Sequence, residues 1–139
     1  MKFHTTVLFR RGLGLLLAAG LGICLANCSY KNGYEATPCN LPAKVSYKTN
    51  VLPILTQNCY RCHSAKYYVV SSSGTFNMED STKVKYYANP ANGQNGTSYL
   101  VGNIRHDAGF VAMPYDGGKL SDCDIATIKA WVDAGAPSN

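Results

Sequence analysis

Cys59 and Cys62 stand three positions apart with His63 directly after the second, in the string NCYRCHSAK. Two thiols and an imidazole at this spacing can serve three chemistries. Structural zinc wants four ligands, usually two such knuckles or one knuckle plus a spaced histidine pair. This chain has one knuckle, and beyond its first residues only His63 and His106 remain. Thiol–disulfide exchange also uses CxxC, but in a βαβ frame with the motif opening a helix. No βαβ pattern is present, and this motif is expected to close a helix. The third chemistry is covalent attachment of a c-type haem. Both thiols add across the vinyl groups of one haem edge, and the next residue's imidazole then lies under the iron. From the composition, a chance CxxCH is on the order of one in two hundred, so the haem reading leads.

If a haem is present, His63 is the proximal iron ligand through Nε2, and its Nδ1–H needs a carbonyl partner to fix the tautomer. The far side of the iron has three candidates, Met78, Met113 and His106. A lone histidine at a helix end is more often a partner of the helix dipole. Met78 lies in a polar stretch and reads as a packed or exposed side chain. Arg105 is expected to reach a haem propionate, and Arg61 to be a solvated side chain.

The start of the chain points to where such chemistry would occur. Lys2, Arg10 and Arg11 precede an apolar run at 12–23 that is too short and glycine-rich for a comfortable span. This reads as an export signal over residues 1–27, with the arginine pair as ordinary n-region charge. Its end, Leu25-Ala26-Asn27-Cys28, is similar to a bacterial lipobox, although Asn27 stands where Gly, Ala or Ser is usual. That resemblance implies lipid on Cys28 and a protein held at a bacterial membrane, in the periplasm or at the cell surface. Ordinary cleavage nearby, leaving Cys28 free, is the alternative. Removing Lys2, Arg10 and Arg11 brings 13 Lys and Arg to 10 against 8 Asp and Glu, a net of +2 rather than +5. No basic cluster survives, so nucleic acid is not an expected partner.

Of the six cysteines, Cys24 lies in the signal, Cys28 in the lipobox and two in the motif. Cys39 and Cys123 remain, and an oxidising compartment favours pairing them. A loop this long makes the bridge worth ~4 kcal/mol in the chain-entropy model. Two free thiols, or pairing through Cys28, are the alternatives.

The elements that must position these residues are short. Residues 28–44 are polar and broken by Gly and Pro, a tether. Asn50 is the expected cap of a helix over 51–58 that delivers the chain into Cys59, with Pro53 tolerated in its first turn. Residues 66–77 read as loop, with 67–70 as a possible extended piece. A second helix is expected over 81–88, a turn-rich loop over 89–96, and a third helix after a Thr97 cap, carrying Leu100, Val101 and Ile104 on one face. Residues 107–119 are irregular. The last helix starts at Ser121, with Asp124 in the capping-box position. It carries Ile125, Ile128, Trp131 and Val132 on one stripe and stops at Gly135 and Pro137. The expectation is an all-α domain over 45–139, four to five short helices with long loops. Helices this short need packing, and a large apolar cofactor at the centre would supply it.

The CxxCH with downstream Met113-Pro114, in the frame VLPIL…NCYRCHS…AMP…LSDCDIATIKAWVDAGAP, resembles class I monohaem cytochrome c domains of small bacterial lipoproteins over residues 45–137. The resemblance implies a cytochrome c-like fold wrapped on one covalent haem c, with first and last helices crossing. It implies Cys59 and Cys62 as thioether anchors, His63 as proximal and Met113 as distal ligand, and Pro114 stiffening the methionine loop. The function implied is electron transfer, not catalysis, by a monomer that meets redox proteins briefly. A haem-based sensor or peroxidase-like enzyme with a labile sixth ligand is the alternative. A third reading is an accessory subunit whose haem only scaffolds the fold. The ten tyrosines, including the pairs at 67–68 and 86–87, are the least explained feature: some are expected to line the haem and most to be ordinary amphipathic surface.

Overall fold

A computed structural model describes residues 39–74 and 76–139. The expected export signal, the lipobox Cys28 and most of the tether lie outside the described residues. Among the described residues there is no strand, and the domain is all-α. A π-helical turn, Tyr47–Val51, runs directly into α1, Leu52–Asn58. Then come α2, Tyr60–His63, α3, Tyr68–Ser71, and α4, Ser81–Ala88. A 3₁₀ turn at Pro90–Asn92 leads to α5, Tyr99–Arg105, and the chain ends with α6, Asp122–Asp133. The single turns α2 and α3 take the number of α-helical segments beyond the four to five expected. No helix among the described residues is long and apolar enough to cross a membrane.

The first helix begins earlier than Asn50. Ser46 is the cap, its side chain accepting from the Thr49 N–H, while Asn50 Oδ1 accepts from the Ser46 N–H at 2.9 Å. Pro53 has no N–H to return to the preceding turn. That turn closes in the wider pattern, with the Leu52 N–H reaching the Tyr47 carbonyl. The first free N–H groups of the turn are met from the far end of the chain: Tyr47 donates to Asn139 Oδ1 at 2.7 Å and Lys48 to the Asn139 carbonyl at 2.9 Å. These are the donors that a helix start otherwise leaves unsatisfied.

Residues 67–70 are helical, not extended. The chain leaves the motif's turn at Ser64, which is extended (φ −77°, ψ 163°), and then winds a separate turn in which the Tyr68 N–H returns to the Ser64 carbonyl at 2.9 Å. That turn buries nothing, and Val69 and Val70 are exposed. The cap of α5 is Ser98, whose buried hydroxyl accepts from the Val101 N–H at 3.2 Å. Thr97 is instead tied by its backbone to Gln94. At α6 the cap is Ser121 as expected. Asp124 is too short to reach the Ser121 N–H and accepts from its hydroxyl at 2.8 Å instead.

The core joins the two ends of the domain. Val51, Leu55 and Ile128 are fully buried, and Trp131 nearly so. Tyr47 packs on Trp131 with ring centroids 5.3 Å apart, and the Trp131 indole N–H donates to the Pro137 carbonyl. Cys39 is disulfide-bonded to Cys123. The end of the expected tether is therefore fastened to α6 rather than loose.

Candidate functional site

Between the motif and α5 lies a cavity of about 470 Å³, inside the ~300–1,000 Å³ span of cofactor clefts. Cys59, Cys62, His63, Met113 and Pro114 all line it. Leu100 and Ile104 enter from successive turns of α5, and Phe76, Tyr87 and Leu120 add apolar wall.

On the motif side, α1 winds into α2 with little interruption. The Cys59 N–H donates to the Leu55 carbonyl, and the His63 N–H donates to the Cys59 carbonyl, both at 2.8 Å. The helical winding brings both thiols and the imidazole to the same cavity, on a frame whose Leu55 sits in the core. His63 is buried, with Nδ1 3.2 Å from the Phe76 carbonyl. A carbonyl can only accept, so Nδ1 carries a proton, and in the neutral ring Nε2 is then the nitrogen with the lone pair. The Phe76 ring then stacks on Tyr87 at 4.1 Å, and Tyr87 meets Tyr86 and Tyr99. Part of the tyrosine excess thus forms an aromatic backing behind His63.

Cys59 and Cys62 are unpaired, although Cys39 and Cys123 of the same domain are bonded. Burial pushes the Cys59 thiol up to about 11, Cys62 adds to the rise, and the Arg61 guanidinium works against it. At neutral pH such a thiol is ionised in roughly one molecule in ten thousand, the reverse of a redox-active cysteine. Beside it, burial, with Tyr47 and Glu79 adding, pushes Tyr60 up to about 12, and Tyr60 hydrogen-bonds Tyr47. The motif is thereby linked to the contact of Tyr47 with Trp131 of α6. Among the described residues no three His, Cys, Asp or Glu side chains converge to hold a metal ion directly.

On the other side, Met113 sits in a largely exposed loop. Its N–H donates to the Asn103 carbonyl at 3.0 Å, and the Met113–Pro114 peptide is cis. Met78 also lines the cavity, but its N–H donates to the His63 carbonyl at 2.7 Å, which ties it to His63's own side. His106 does not line the cavity; its Nε2 lies 3.1 Å from the Met113 carbonyl. Arg105 does not line it either, because its guanidinium turns to Asp107 at 3.3 Å. Arg61 is the arginine on the rim, paired with Asp116.

Family models, curated proteins and solved structures give no match to the chain. What the site can do rests on its own geometry. The donor set tests well against a haem c: two unpaired thiols, an imidazole with a fixed Nδ1 proton, a thioether, and apolar walls around one cleft. Phe76 has no distinguishing mark in the sequence, and Tyr87 stands there only as one of a tyrosine pair. The carbonyl that orients His63 leaves no mark there, whereas the i, i+4 spacing of Leu100 and Ile104 was a readable sign.

Proposed function

We propose that the chain is an exported, monohaem c-type electron-transfer protein with a cytochrome c-like fold. The observation that carries this is that Cys59, Cys62, His63 and Met113 line one cavity of cofactor size. A haem c held there supplies a reversible one-electron Fe(III)/Fe(II) couple. Cys59 and Cys62 would anchor it through two thioether bonds, each formed by adding one S–H across a vinyl double bond with no change of oxidation state. This suits Cys59, whose thiol burial keeps protonated. His63 offers Nε2, oriented by its bond to the Phe76 carbonyl. Met113 is the thioether on the α5 side of the cleft, and methionine favours the reduced iron and raises the potential. Leu100, Ile104 and Phe76 exclude water, which acts in the same direction. Arg61, rather than Arg105, supplies the cation at the rim. Redox proteins docking briefly at the mouth are the partners, and lipid on Cys28 would hold the domain at a membrane.

A second reading has one observation in its favour: Met113 is carried by an exposed loop. If the thioether leaves the iron readily, the chain is a gas sensor or peroxidase-like enzyme. A pyridine haemochrome spectrum of the exported protein tests the common premise, and a spectrum without the c-type signature removes both readings. The oxidised spectrum then separates them. A weak far-red band of methionine-bound ferric iron supports electron transfer, and a high-spin spectrum supports the second reading.

A further inference from the structure

His106 was a rival iron ligand in the sequence, and it has another place in the fold. It closes α5 in the left-handed region, at φ 59° and ψ 41°, where a histidine is tolerated but uncommon. Its N–H satisfies the helix end by bonding the Asn103 and Gly102 carbonyls. From there its ring reaches forward to the Met113 carbonyl, with Nε2 at 3.1 Å.

Two other contacts hold the same stretch to the same helix. The Met113 N–H donates to the Asn103 carbonyl. Phe110 lies flat against Gly102, so close that a Cβ there would stand 2.3 Å from the ring. Residues 107–113 are thus a strap laid back along α5, and both backbone polar groups of Met113 are engaged. Since the Met113 carbonyl can only accept, His106 must donate from Nε2.

We infer that His106 is a positioning residue that holds Met113 at the cleft through the bond from Nε2–H to the Met113 carbonyl. This rests on the reading of Met113 as the sixth ligand. Without that bond the strap keeps Phe110 and the Asn103 contact, but its methionine end swings more freely.

The test uses the full-length exported holoprotein and two variants. His106→Asn keeps a residue that accepts the left-handed conformation but is too short to reach Met113. His106→Gln retains an N–H donor at the reach of Nε2. The haemochrome is taken first on wild type; its failure would remove the haem reading and this inference together, before any variant is made. Three readouts follow: the far-red ferric band, the rate of cyanide binding to ferric iron, and amide exchange at Met113. His106→Asn should weaken the band, with cyanide binding and Met113 exchange each about tenfold faster. His106→Gln should restore both rates to within about threefold of wild type. Amide exchange in α6 should be unchanged in both, which separates a loosened strap from general destabilisation. Wild-type rates in His106→Asn would overturn the inference, as would equal acceleration in α6. If wild type lacks the far-red band and His106→Asn turns low-spin iron high-spin, His106 is itself a ligand, and the inference fails while the haem reading stands.

Discussion

His63 and Met113 line the same cavity, yet the chain holds them by unlike means. His63 is buried, its ring bonded to the Phe76 carbonyl and its backbone continuous with a helix whose Leu55 is wholly inside the core. Behind it stand stacked aromatic rings and the packed pair Tyr47 and Trp131. Met113 hangs from α5 by single hydrogen bonds, and the loop around it is largely exposed from Val111 to Lys119. One side is fixed by burial, which yields only when the domain unfolds. The other is fixed by polar contacts in or near water, each worth ~0.5–1.5 kcal/mol. Local opening takes place where few apolar contacts resist it. The methionine side should therefore open while the histidine side stays closed, and on the proposed haem reading ligand exchange should enter from the Met113 face.

The largest effect should come from a change that belongs to neither side. Replacing Cys39 and Cys123 by serine removes a bridge across 84 residues, worth ~4 kcal/mol in the chain-entropy model. Urea unfolding should register the loss in the midpoint, while the visible spectrum of the folded protein stays as it was. A spectral change without a shift in midpoint would mean that the bridge shapes the site directly.

Leu55→Ala comes next, and it probes the buried side. Leu55 is 0% exposed, and truncating such a leucine costs about 2–5 kcal/mol. Because His63 rides on that packing, far-UV helicity and the spectrum of the proposed haem should be lost together along one urea transition. If the spectrum collapsed well before the helices, the histidine side would be a locally mobile unit and the contrast with Met113 would fail.

The sequence made these two sides unequally readable. Residues 59–63 are close in the chain, so spacing alone brought them together. The helix over 81–88 and the stripe of Ile125, Ile128 and Trp131 were legible for the same reason: local period and caps decide them. At the other boundaries polar residues compete within a turn. Ser46 won over Asn50, and Ser98 over Thr97, because the cap depends on which side chain meets a free N–H. The partner of His63 was not readable, since every residue has a carbonyl. Nor was the place of His106, whose ring could be assigned to iron or to a loop until α5 and the strap were seen side by side. Arg61 reads as solvated when alone; its pairing with Asp116 spans 55 residues and exists only in the folded chain.

That ion pair allows the smallest effect and the finest test of the comparison. Arg61 lies between the two cysteines of the motif, and Asp116 lies three residues beyond Met113, so their bond crosses from the buried side to the strap. Both side chains are about half exposed, and pairs of this kind contribute only ~0.2–1 kcal/mol. Arg61→Ala should hardly move the urea midpoint. It should nevertheless speed cyanide binding by about two- to fivefold, the same small energy expressed locally. At neutral pH cyanide arrives as uncharged HCN, so the lost cation does not itself alter the approach. Salt supplies an independent check. Raising the ionic strength from 0.01 M to 1 M shortens the screening length from ~30 Å to ~3 Å. The wild-type rate should climb toward that of Arg61→Ala, whose own rate should stay flat. If salt leaves the wild type unchanged and Arg61→Ala matches it, the strap is held by α5 alone. The two sides would then be independent, joined only through the core.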